Sequence, residues 1–109
     1  MMKEEGKIVI FVTTDSQEEA QKIATRLLNQ RKVACVNIVP RVDSLFWWQG
    51  KLDSARESLV IAKTKAALLP EVVSLVKDVH SYEVPEIIAL PIIGGNEDYL
   101  NWIDSEVEG

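Results

Sequence analysis

A chain of 109 residues with one histidine and one cysteine has few side chains that can do chemistry. His80 stands in the run His80-Ser81-Tyr82-Glu83-Val84-Pro85-Glu86. A neutral imidazole beside Glu83 and Glu86 suits a divalent ion such as copper, zinc or nickel. The same His80 at the end of a helix would instead serve as a cation on the helix dipole. Glu83 and Glu86 form a carboxylate pair of the kind that holds a hard cation or moves protons. Alternatively Glu86 pairs with Lys63 across a sheet. Cys35 lies between Ala34 and Val36 and reads as a small buried hydrophobe with a structural role. Copper(I) wants soft sulfur, and Cys35, Met1 and Met2 offer little of it. Adjacent Trp47 and Trp48 must face opposite sides of a strand, one for the core and one for a subunit contact. Four Cys or His ligands for a closed zinc site cannot come from one such chain, nor can an intrachain disulfide. With no activated nucleophile and no oxyanion motif, an enzyme is not expected.

The elements that must position these residues follow from periodicity. Lys7 to Thr14 is a strand, its β-branched run suited to burial on both faces. Ser16-Gln17-Glu18-Glu19 is a capping box that starts a helix. Ala20, Ile23, Ala24, Leu27 and Leu28 mark the buried face of that helix. Val33 to Val42 is a second strand, with Pro40 at an edge, bulge or bend. Ser44 to Trp48 continues it, Gln49-Gly50 turns, and the return limb runs to Lys65. Pro70 opens a second helix along Leu69, Val72, Val73, Val76 and Val79. His80 to Pro85 is a connector, and Glu86 to Ile92 a last strand. Asn96 caps a final helix whose buried line is Tyr99, Ile103 and Val107.

The order is β-α-β-β-α-β with an extra C-terminal helix. This is an α+β, ferredoxin-like sandwich with a long bent hairpin between its second and third strands, in one domain over residues 1–109. A chain this short has a thin core, and the sheet face without helices asks for a covering partner, most simply further copies. Twelve basic and seventeen acidic side chains give a net charge of −5, which argues against nucleic acid. No apolar stretch approaches the ~20 residues that cross a membrane. The segment Met1 to Gly6 lacks signal-peptide character. The lone cysteine suits a reducing, cytoplasmic setting.

Together the motifs Val33-Ala34-Cys35-Val36-Asn37-Ile38, Phe46-Trp47-Trp48-Gln49-Gly50-Lys51, Ala62-Lys63-Thr64, His80 to Ile87 and Tyr99-Leu100-Asn101-Trp102 follow one another in a distinctive order. They resemble the CutA divalent-cation tolerance family from about Ile8 to Trp102. The resemblance implies a ferredoxin-like subunit of a tight homotrimer. It also implies a role in tolerance of copper (Cu²⁺) or another divalent ion, and no established reaction. It makes His80, Glu83 and Glu86 the candidate metal ligands, and Trp48, Lys63 and Tyr82 the candidate lining of an inter-subunit cleft. Some bacterial members of the family place ligands where this chain has Val12 and Val79, and Ser81 stands where the family usually has Pro. The trimer also resembles the PII signalling proteins, which implies a small-ligand sensor or scaffold as the alternative.

Overall fold

Alternation sets the first strand, β1 (Lys7–Thr14): Ile8, Ile10, Val12 and Thr14 are fully buried, while Val9, Phe11 and Thr13 are half-covered on the other side. The computed structural model describes residues 6–109, so the readings made on Met1 to Glu5 lie outside the described residues. Helix α1 (Gln17–Asn29) begins where the capping box predicts, with Ser16 Oγ accepting from the Glu19 N–H at 3.1 Å. Ala20, Ile23, Ala24 and Leu27 are buried, but Leu28 turns to solvent. It lies one step round the helix from Leu27, beyond the stripe that meets the sheet. After Gln30 the chain takes a Schellman turn: Arg31 N–H bonds Leu28 O and Lys32 N–H bonds Leu27 O, both at 3.0 Å. Arg31 itself adopts the left-handed conformation, φ 58°, that glycine usually fills there.

Strands β2 (Cys35–Trp48) and β3 (Lys51–Lys65) form the long hairpin. Gln49 (φ 50°) and Gly50 (φ 80°) make the two-residue turn with both residues at positive φ that matches strand twist. The register slips between Val39 and Val42, so Pro40 sits in a bulge, where a residue lacking N–H costs no ladder bond. Ser58 Oγ donates to Pro40 O at 2.6 Å and fixes the bend. A short 3₁₀ turn (Ala66–Leu68) leads into α2 (Leu69–Val79), with Pro70 in its first turn. Strand β4 (Ile87–Ile92) and helix α3 (Glu97–Glu106) complete the chain, α3 capped by Asn96 Oδ1 on the Asp98 N–H at 3.0 Å.

The sheet order is β2-β3-β1-β4, every pair antiparallel, which is the ferredoxin-like arrangement. Helices α1 and α2 cover one face, packing Ile23, Leu27, Val72 and Val76 on Ile8, Ile10, Val60 and Ala62. The second face is not bare throughout. Lys7 Nζ, on that face by alternation with Ile8, reaches Asp104 Oδ2 of α3 at 2.7 Å. Ile103 and Val107 are buried as expected, whereas Tyr99 is 40% exposed. Ile88 and Leu90 of β4 stay half-exposed on the same face.

β1 pairs only with the part of β3 from Ser58 onward. The seven hairpin pairs from Val42↔Glu57 to Trp48↔Lys51 therefore project as a two-stranded arm, roughly 20 Å long. The radius of gyration, 14.3 Å, exceeds the ~13 Å of a compact chain this size, as such an arm requires. Both tryptophans ride on it. Neither enters the core as the sequence suggested: Trp47 is 75% and Trp48 55% exposed. Beyond the end of β1 there is no core for them to enter.

Candidate functional site

Helix α2 ends at His80, whose N–H still bonds Val76 O at 2.9 Å. Its ring turns inward, and the side chain is fully buried. Nε2 lies 2.7 Å from Thr13 O at the end of β1. Nδ1 lies 3.0 Å from Tyr82 N. A backbone N–H can only donate, so Nδ1 is the acceptor and Nε2 carries the proton. His80 is thus a neutral post that fixes the connector to the sheet. The ring of Tyr82 packs on it, centroids 4.8 Å apart.

Glu19 joins the same junction from α1. Its Oε1 accepts from Asp15 N at 3.0 Å and its Oε2 from Ser81 N at 2.8 Å. It therefore reaches one residue past the usual capping-box target and holds the connector as well. Burial pushes its carboxyl pKa up, but the hydrogen bonds from Ser81 and Asp15 outweigh this. The pKa falls below the ordinary glutamate value.

Beyond this junction the connector and one side of the arm border an open cleft of about 740 Å³. Phe46, Trp48, Tyr82 and Val84 supply apolar wall, and Asp53, Glu57, Glu83 and Glu86 supply four carboxylates. No basic side chain lines it among the described residues. Glu57 is only 8% exposed and accepts from Tyr82 Oη at 2.8 Å. Burial, that bond and the charges of Glu57, Asp15 and Glu19 push the Tyr82 phenol far above its ordinary value, so it stays protonated and donating.

The structure brings Trp48, Tyr82, Glu83 and Glu86 together on one cleft and sets His80 behind it. Lys63 is elsewhere. Its Nζ donates to Asn37 Oδ1 at 2.7 Å, and it faces Val9, whereas Glu86 adjoins Ile87, which faces Val12. The suggested Lys63–Glu86 pair is therefore not formed, because the two lie several residues apart along β1. Cys35 is half-buried rather than buried, on the second face opposite Lys63. Burial and this neighbouring thiol raise the pKa of Tyr99. Val12 is sealed in the core.

As a metal centre within one chain the residues do not fit. Both ring nitrogens of His80 are engaged, Glu57 serves Tyr82, and no three His, Cys, Asp or Glu side chains converge among the described residues. Sequence reasoning missed Asp53 and Glu57, although the turn could have placed them beside Phe46 and Val42. A two-residue loop at Gln49-Gly50 pairs Trp48 with Lys51, and so Phe46 with Asp53 and Val42 with Glu57. Nothing in the sequence signals that the connector folds over that face.

Comparison with known proteins sets this geometry in context. A family profile described as CutA1 divalent ion tolerance protein matches residues 8–106. The divalent-cation tolerance protein CutA of Archaeoglobus fulgidus is 48% identical over 99 residues, 91% of this chain and 96% of its own length. The chloroplastic CutA 1 of Oryza sativa subsp. japonica is 45% identical over 96 residues, 88% of this chain. The chain spans about half of the plant relatives, 54% of the rice protein and 53% of an Arabidopsis thaliana one. A crystal structure of CutA1 from Oryza sativa superposes with a TM-score of 0.92 at 42% identity, covering 94% of each chain.

Proposed function

The chain belongs to the CutA1 divalent ion tolerance family, and on that premise we propose that it acts in divalent-cation tolerance as one subunit of a homotrimer, without a reaction of its own. The observation that carries the assembly is the arm. A two-stranded ribbon is marginal in water by itself. This one also exposes Leu45, Trp47 and Leu52, a surface that a neighbouring copy would cover. Cu²⁺ or another divalent ion meets the assembly weakly, at exposed carboxylates such as Glu83 and Glu86, with His80 supporting the connector behind them.

Light scattering at micromolar concentration tests the assembly: the expected mass is three times 12.2 kDa, and a monomer overturns it. Calorimetry with Cu²⁺ on the wild type and His80→Ala tests the metal reading. Equal affinities are expected, and a large loss in the variant would return His80 to the ligand set.

The cleft favours a second reading, a trimeric small-ligand sensor or scaffold with no physiological metal. Its aromatic wall is more than a metal ion needs. A thermal-shift screen of nucleotides and metabolites beside metal salts separates the two, and a metal-only response counts against the sensor.

A further inference from the structure

We propose that the cleft between the arm and the connector binds a small organic cation, an ammonium group carried on an apolar body. The inference rests on the small-ligand reading and names its ligand class.

Size comes first. About 740 Å³ falls within the range of small-molecule sites. Charge comes next. Asp53, Glu57, Glu83 and Glu86 all line the cleft, no Lys, Arg or His among the described residues lines it, and the one base on the same arm face, Lys51, stands beside Trp48 at the turn. An anionic ligand would meet four like charges there. Glu57 is the most telling of the four. It is 8% exposed, and among the described residues its carboxylate takes one hydrogen bond, from Tyr82. Only one of its oxygens is engaged, and no buried oxygen of Glu57 lacks a partner, so the other is open to solvent and to a cation in the cleft.

The walls then choose between kinds of cation. A bare divalent ion needs several oxygens converging at about 2.0–2.6 Å. Here no three ligating groups among the described residues converge, and the carboxylates are spread among aromatic rings. Phe46, Trp48 and Tyr82 present the ring surfaces that attract a diffuse ammonium charge, and Val84 offers apolar contact to its body. Alternation separates this surface from the other side of the arm. Phe46 and Trp48 share one face with Lys51, Asp53 and Glu57, while Trp47 and Leu52 share the opposite one with Leu45, which also borders the cleft.

The test uses one molecular shape in three charge states, on the full chain in its solution assembly. Calorimetry is run with choline, with its neutral carbon isostere 3,3-dimethylbutanol, and with the anion 3,3-dimethylbutyrate. The expected result is choline bound about tenfold more tightly than the neutral isostere, with no binding of the anion. The double variant Glu83→Gln/Glu86→Gln should erase most of the preference. Trp48→Ala should weaken choline at least fivefold. All three residues are exposed, so the fold survives, and unchanged thermal melting confirms this for each variant. Equal binding of choline and the neutral isostere, sensitive to Trp48→Ala, overturns the cation assignment but leaves a small-ligand site. Binding of none of the three, as when a neighbouring subunit fills the cleft, overturns the proposal. If the thermal-shift screen also finds no organic ligand, the sensor reading falls with it.

Discussion

His80 shows how one residue type carries opposite meanings. Its burial and two hydrogen bonds make it a joint between α2, β1 and the connector. Glu19 completes the joint by accepting two backbone N–H groups, from Asp15 and Ser81. Because its folded pKa lies below the ordinary value of 4.5, its contribution is fully present above that pH. The contribution is lost as the pH falls through the lowered value. Glu19→Gln should cost about 1–2 kcal/mol at neutral pH. That difference should shrink below pH 4.5 when urea unfolding of both proteins is followed. A cost independent of pH would mean that charge plays no part. Ser16 and Glu19 were legible because a capping box is local in sequence. Ser81 as the second partner was not, since it lies 62 residues away.

The hairpin was the most legible element and the most misread in its consequences. β-branched and aromatic residues, Pro40 and Gln49-Gly50 mark its limbs, bend and turn. The core place expected for one of its two tryptophans was wrong because alternation assigns them to opposite faces without saying how far the neighbouring strands extend. β1 ends opposite Ser58, so everything beyond it is ribbon. The turn itself is imperfect. Gln49 holds φ 50°, which asparagine tolerates better. Gln49→Asn should therefore raise the unfolding free energy by about 0.5 kcal/mol in chemical denaturation. Destabilisation would show that the turn differs in solution. Arg31 also ends its helix in a glycine-like conformation, and it pairs there with Glu106 at 3.1 Å.

At the scale of the whole molecule, a thin core, a half-exposed β4 and a projecting arm all lack surface that a single chain can provide. Three chains would also triple the net charge of −5, which draws cations toward the surface. Trp47 lies on the outer face of the arm, away from the cleft and the core. Trp47→Ser should leave the subunit fold intact by circular dichroism and shift light scattering toward smaller species. The melting temperature should fall by ten degrees or more, in the order of a few kcal/mol for a domain of this size. An unchanged assembly would take this residue out of the contact.

The side-by-side tryptophans also give the molecule two built-in optical reporters on a single peptide unit. Trp48 looks into the cleft and Trp47 away from it. With Trp47→Phe, changes in emission on adding a ligand come from the cleft. With Trp48→Phe, changes on dilution come from the outer face of the arm. Trp102 on α3 provides a common background in both. Occupancy and assembly can thus be followed separately by light, without attaching a dye.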